Sequence, residues 1–298
     1  MKEFVSPKQA ALAMGVSESS LKRWCDRGLL STVKTGGGHR RIAVADVVRF
    51  IRETRQQLHQ PALLGLELER ADIQPVRPSI EHSLKPFTVA LKLGDESRAV
   101  SLATECYLQG ISLVELADRL ITPAFHTIGE EWSCERMQVY EERRACEVCL
   151  RIIHQLRRLL GNPPLSGYRA IGGTLSGDFY QIATSLVELT LREAGWQAEN
   201  LGSGIPFESL RAAVMQQEPR LLWVSVSHID HPEAFKSGMD LLWETCERQQ
   251  VALLIGGREL SDEWRRTLKY SSCAETFTHV RTFAASLQPV LSPTLSDR

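Results

Sequence analysis

No run of 18 apolar residues occurs anywhere in the 298-residue chain, so no stretch is long enough to cross a bilayer as a helix. A helical pattern begins within the first few residues, which leaves no room for a signal peptide and predicts a cytoplasmic protein without a membrane partner. Paired metal-ligand spacings are missing as well. The seven cysteines are Cys25, Cys106, Cys134, Cys146, Cys149, Cys246 and Cys273. An odd number in a reducing compartment predicts free thiols. Cys146 and Cys149 form a C-x-x-C inside a strongly helical run, with no second pair to complete a zinc site. They read as small residues on a buried helix face, with redox sensing as the alternative. No P-loop, G-x-G-x-x-G or nucleophile–base pair is visible, so no enzyme activity is expected.

What is present is uneven in charge. Residues 1–58 carry 11 Lys/Arg against 5 Asp/Glu, whereas the whole chain has a net charge of −1. A basic head on an acidic body is the electrostatic footprint of a nucleic-acid binder. Within that head, Ser6 to Ile42 suits two short helices, a tight turn at Gly15 and a hairpin turning at Gly36-Gly37-Gly38. Ala10, Leu12, Ala13, Val16, Leu21 and Trp24 are the expected shared core. Ser17 is placed to cap the second helix. Ser19, Ser20, Lys22 and Arg23 fall on its outward positions, and the hairpin carries Lys34, His39, Arg40 and Arg41. A helix bearing Ser, Lys and Arg beside a basic hairpin suits a duplex groove and its phosphates.

These residues resemble the MerR family of winged helix-turn-helix regulators. The match runs through Ser6-Pro7-Lys8-Gln9-Ala10-Ala11, Val16-Ser17, Leu21-Lys22-Arg23-Trp24, Gly28-Leu29 and Gly37-Gly38-His39-Arg40-Arg41-Ile42. The resemblance implies that Lys22 and Arg23 lie in or beside the major groove and that Arg40 and Arg41 hold backbone. It also implies a dimer on an inverted repeat of double-stranded DNA.

Beyond the head, a helix over about 44–58 closes the first domain (1–58). Pro61, Pro75 and Pro78 mark 59–80 as a linker. Residues 81–163 alternate at helical spacing in four segments, about 81–93, 95–108, 112–132 and 138–160, which predicts a four-helix bundle. From 164 to 298 short β-type runs alternate with helices. Strands are expected at 170–174, 197–201, 221–226 and 251–255, with a weaker one near 275–278. Helices are expected at about 179–194, 206–217, 231–249 and 258–269. The fold class is thus multidomain: a winged helix-turn-helix head, a four-helix bundle and a Rossmann-like doubly wound parallel sheet. Ligands of such sheets sit beyond the carboxyl ends of the strands. Those ends are rich in small residues: Gly202, Ser225, Ser227, Gly256 and Gly257.

Residues 81–290 resemble the cobalamin-binding module, in the layout of the light-dependent repressors of the CarH/CarA type. Ile121 to Phe125, Ile128-Gly129 and Trp132 match the bundle helix whose Trp covers the corrin. Ser176-Gly177-Asp178, Leu201-Gly202 with Ile205-Pro206, Ser225-Val226-Ser227 and Ile255-Gly256-Gly257 match the loops. The family's first loop reads Asp-x-His-x-x-Gly, and its His binds cobalt. Here Tyr180 takes the His position and Ala183 the Gly position after Asp178. In the bundle, Trp132 is followed after nine residues by Glu142-Arg143, where the light-sensing relatives carry Glu-His. A neutral phenol is a poor substitute for imidazole, and a guanidinium binds no metal. Arg143 is expected to pair with Glu142 or to hold a ligand's propionate or phosphate.

The reading that follows is a DNA-binding transcriptional repressor, a homodimer or homotetramer. Its module sets assembly and does not hold adenosylcobalamin through those His positions. One alternative is a regulator sensing light, redox state or a gas through haem or a bilin, with His126, His154, His228 and His231 as nitrogen donors. A second is a protein-interaction antirepressor.

Overall fold

The computed structural model describes residues 2–68, 79–163 and 165–288. It divides into two compact units, 1–163 and 164–298.

In the first unit, β1 (Phe4–Val5) leads into α1 (Pro7–Met14), whose N-terminus is closed by a capping box between Ser6 and Gln9. Gly15 ends α1. Ser17 then caps α2 (Glu18–Asp26), accepting from the Ser20 N–H as the sequence predicts. Leu21 on α2 is fully buried. Leu12 is not in the core: it is 47% exposed, and Val16 is only half-buried. Ala10, Ala11, Ala13 and Met14 form the inward side of α1 instead.

The wing pairs β2 (Val33–Lys34) with β3 (Arg40–Ala43), and β1 completes a three-stranded sheet in the order β1-β3-β2. Its tip is closed by Gly38 N–H donating to Thr35 O and Thr35 N–H to His39 O. Of the three glycines only Gly38 has positive φ (+77°), the left-handed residue that follows a type I turn in a hairpin. The next helix, α3 (Val44–Thr54), is shorter than expected, because Arg55 takes a left-handed conformation and stops it.

Residues 59–66, expected to be linker, pack on the head. His59 and Gln60 N–H groups donate to Ala13 O, a 3₁₀ turn follows at Pro61–Leu64, and Leu64 and Leu66 are buried. The rest of that linker, 69–78, lies outside the described residues.

The bundle follows the four predicted segments. Its helices are α4 (Ile80–Leu93), α5 (Glu96–Leu108), a third segment of α6 (Leu113–Leu116) and α7 (Thr122–Ser133), and α8 (Val139–Leu160). A π-helical turn at Ala117–Ile121 joins α6 to α7 just before Pro123. Proline cannot donate a ladder hydrogen bond, and a widened turn accommodates that loss. On α8 the buried positions Ala145, Val148, Cys149, Ile152, Leu156 and Leu159 repeat at three and four residues. Cys149 therefore belongs to the packing stripe. Each large side chain there contributes roughly 1.5–3 kcal/mol by leaving water.

The second unit is a five-stranded parallel sheet in the order β5-β4-β6-β7-β8. Its strands are β4 (Arg169–Thr174), β5 (Gln197–Asn200), β6 (Leu221–Ser225), β7 (Ala252–Gly256) and β8 (Ser272–Ala274). Between them run α9 (Ile182–Glu193), α10 (Phe207–Gln217), α11 (Pro232–Arg248) and α12 (Asp262–Thr267), and α13 (Phe277–Ser286) follows. Side chains alternate across the sheet. Ile171, Leu222, Val224, Leu253 and Ile255 face α10 and α11, whereas Ala170, Leu221, Trp223 and Leu254 face α9 and α13. The weak strand expected at 275–278 lies earlier, at 272–274. The helix α13 is not among the expected elements; Phe277, Val280 and Ala284 give it a helical stripe against the sheet. Strand order reverses between β4 and β6, so their carboxyl ends flank the crevice of the doubly wound sheet.

Candidate DNA interface and ligand cleft

The head presents its polar side chains outward. Ser19, Lys22, Arg23, Lys34, His39 and Arg40 are exposed, and Arg41 is half-buried. Their partners are few and local. Lys22 lies 3.9 Å from Glu18, one helical turn back. Arg23 donates to Ser20 Oγ at 3.4 Å, and Arg41 to Arg40 O at 3.2 Å. Lys34 and His39 make no side-chain hydrogen bond or ion pair among the described residues. One pairing is not apparent from the sequence: the Arg40 guanidinium reaches across from the wing to Asp26, on the last turn of α2, at 2.8 Å. Trp24 packs on Phe50 of α3 with ring centroids 4.8 Å apart, which fixes α2 on its support.

The residues expected to line a ligand cleft fall in both units. In the first, Trp132 sits on the last turn of α7 and is 47% exposed. Glu142 and Arg143 lie on the first turns of α8. The Arg143 Nε is 3.5 Å from a Glu142 oxygen, so the expected pair forms, and Glu142 also accepts from Cys146 Sγ at 3.3 Å. Burial, reinforced by the neighbouring Glu142 carboxylate, pushes the Cys146 thiol up to about 12. Complete burial raises Cys149 too. Both environments favour the thiol over the thiolate, the form in which a cysteine reacts.

In the second unit the carboxyl ends of the strands are stitched together by their own polar groups. Asp178 is buried, and its carboxylate is fully engaged. It accepts from the Tyr180 N–H at 3.1 Å, the Ser227 N–H at 2.5 Å and the His228 N–H at 3.3 Å. The first and third loops are thereby tied to each other. Burial outweighs these three donors and moves the Asp178 carboxyl above its ordinary value. Thr174 Oγ1 donates to Asp178 O and accepts from the Gly204 N–H, tying in the second loop. Ser225 is buried at the end of β6, and Gly256 ends β7. Gly257 has φ +128°, and a Cβ there would stand 2.1 Å from Val226 O, so only glycine fits. Gly202 differs: a Cβ would meet nothing within 4 Å. The Tyr180 ring is half-buried, with the Arg258 guanidinium 5.3 Å from its centroid.

His228 Nε2 lies 2.6 Å from an Asp230 oxygen, a pairing not expected from the sequence. A His followed two residues later by Asp in a strand-end loop is the available signal. Among the described residues no group of three or more His, Cys, Asp or Glu side chains could hold a metal ion, and no helix is long and apolar enough to cross a membrane.

Comparison with known proteins gives this geometry a context. Residues 4–55 match the helix-turn-helix domain, and residues 84–157 match the B12 binding domain. The HTH-type transcriptional repressor CarA of Myxococcus xanthus is 23% identical over 249 residues, covering 82% of this chain and 83% of the repressor. The HTH-type transcriptional repressor CarH of the same organism is 23% identical over 264 residues, covering 83% of this chain and 87% of the repressor. Trimethylamine corrinoid protein 1 of Methanosarcina acetivorans is 23% identical over 196 residues, 62% of this chain and 88% of that protein. Among solved structures, the monomethylamine corrinoid protein of Methanosarcina barkeri superposes with a TM-score of 0.62 at 18% identity, over 70% of this chain and all of that one. At that identity the structural match shows the fold: a corrinoid-protein type of helical and α/β arrangement. The chain is thus a CarH-like combination of a helix-turn-helix domain with a B12-binding-type domain, which supports a DNA-binding regulator.

Proposed function

We propose that this chain is a transcriptional repressor. A head of residues 1–58 reads operator DNA, and a corrinoid-type body, bundle 81–163 followed by the α/β domain 164–298, governs how copies assemble. The observation that carries the reading is the head's exposed polar surface, coincident with the net positive charge of residues 1–58. Lys22 and Arg23 enter or flank the major groove, with Ser19 beside them. Lys34, His39, Arg40 and Arg41 hold the adjoining phosphates. Two heads in a homodimer or homotetramer read an inverted repeat, and a signal acts by favouring the assembly that spaces them correctly. Selection of bound duplexes from random DNA by the full-length chain tests this. An enriched inverted repeat supports the reading, and recovery of unrelated sequences contradicts it.

The group implied by the B12 binding domain is a corrinoid, and the residues at the first loop do not suit one held through a protein imidazole. Position 180 offers a phenol, and Arg258 lies over its ring. The Asp178 carboxylate, which could orient an imidazole, is spent on three backbone N–H groups. His228 is engaged with Asp230. On this reading the body works without a cobalt–histidine bond from that loop. Incubating the protein with adenosylcobalamin, haem and biliverdin in turn, then desalting, tests it by absorbance. A colourless protein supports the ligand-free body. Retained haem or biliverdin favours a different tetrapyrrole, and retained adenosylcobalamin whose spectrum shows His ligation overturns the inference.

A further inference from the structure

The wing and recognition helix are carried by α3, and α3 is fastened to the bundle at both ends. At its C-terminal turn, Arg52 is half-buried and its Nη1 donates to two backbone carbonyls, Tyr107 O and, at 3.0 Å, Ile111 O. Its guanidinium carbon stands 3.7 Å above the centre of the buried Tyr107 ring. These carbonyls lie at the C-terminal end of α5 and in the turn before α6, where a helix dipole favours a cation. At the N-terminal end of α3, Ala45 meets Gly161, the residue closing α8; a Cβ on Gly161 would come within 2.5 Å of the Ala45 Cβ. On its other side α3 holds α2 through Phe50 and Trp24. One helix thus touches the recognition helix on one side and the α5–α6 turn on the other.

We propose that Arg52 is a positioning residue. It locks the DNA-reading head onto the bundle, so that the recognition helix moves with the bundle as one body. Two carbonyls and an aromatic face converge on one guanidinium, a combination that surface packing alone does not require. A change of arrangement in the bundle then reorients the head without touching DNA, the two-sided element that energetic coupling needs. The assignment deepens the DNA-reading role above, and its first test does not depend on that role.

Hydrogen exchange on the full-length chain reads the lock directly. Arg52→Met keeps the stem and the helix but removes the guanidinium from both carbonyls, leaving Tyr107 O with its bond from the Gly110 N–H. Exchange of the 109–111 amides should then rise about tenfold, as expected for removing a charge-assisted bond. Arg52→Lys restores a donor and should recover most of that protection. Arg49→Ala alters a neighbouring cation paired with Asp46 rather than with the bundle, and should leave these amides unchanged. Unchanged protection in Arg52→Met, or an equal rise in Arg49→Ala, overturns the proposal. The second arm uses the selected operator with about 5 bp inserted between half-sites, which turns one head by about half a helical repeat. The unaltered protein should bind at least tenfold more weakly, roughly the effect of one mismatched base pair. Arg52→Met should tolerate the insertion while binding a single half-site as before. Equal sensitivity in the two proteins overturns the positioning role. If the unaltered protein binds no duplex, the operator reading fails, and the exchange data still decide the lock.

Discussion

The wing of the head and the carboxyl edge of the α/β sheet are both built from short loops, glycines and polar side chains, and they use them in opposite ways. In the wing the polar groups look outward: Lys34 and His39 have no side-chain partner among the described residues, and the Gly38 turn stands in open space. At the sheet edge they look inward. Asp178 ties the first loop to the third, Thr174 ties in the second, and Gly257 lies against Val226. Unspent donors on an exposed surface suit a partner that arrives from outside. Donors and acceptors already matched to one another hold a shape. The contrast is why the proposed function rests on the head.

The sharpest way to break the contrast is to place the same methyl in both regions. Gly257→Ala puts a Cβ against a backbone oxygen at a left-handed φ and should cost on the order of 3 kcal/mol or more. Gly38→Ala meets only the conformational penalty, roughly 1–2 kcal/mol. Urea unfolding of the two variants checks this, and equal destabilisation would erase the distinction between a packed edge and an open wing.

A smaller effect is expected at Asp178. Asn in its place turns one acceptor oxygen into a donor facing a backbone N–H, which should cost about 1–3 kcal/mol. The pH dependence carries a definite sign. The folded protein holds a proton on Asp178 above the ordinary carboxyl value of 3.8. Its stabilising contribution is therefore complete below that value and is lost as pH rises through the raised one. Asp178→Asn should lack this dependence. Urea midpoints taken from pH 3.5 upward in both proteins read the difference, and parallel profiles would show that the buried carboxyl is not linked to folding.

The smallest effect concerns Asp26. Its pairing with Arg40 is exposed on both sides and is worth at most about 1 kcal/mol. Asp26→Ala frees Arg40 and removes a negative charge from the DNA face, so affinity for any duplex should rise by a fewfold. Weaker binding would instead mean that Asp26 holds the wing in its working position.

Much of this is legible in the sequence because the patterns are local. The Ser17 cap, the basic helix and wing, the four bundle segments and strands β4 to β7 follow from periodicity, capping and charge. What escapes has physical causes. Leu12 falls on a core-like spacing, but the short α1 buries only one side, and that side is alanine-rich. Residues 59–66 look like linker because proline and sparse apolar residues hide a docked turn whose anchors are Leu64 and Leu66. The start of α13 reads as a strand because its stripe begins at Phe277, directly after β8. At the sheet edge the sequence shows only that position 180 is a tyrosine. That Asp178 is consumed by backbone donors from its own and a neighbouring loop depends on folding, as does the engagement of Arg52 with a turn some 55 residues away.

The outward-facing head is tested most directly by the affinity of the full-length chain for its selected duplex, measured against salt concentration. The account predicts a straight line of negative slope on logarithmic axes. Arg40→Ala with Arg41→Ala should make that slope shallower by about one unit for each phosphate no longer neutralised, and should weaken binding to all sequences alike. Affinity that ignores salt, or a double variant with the slope of the unaltered protein, would contradict it.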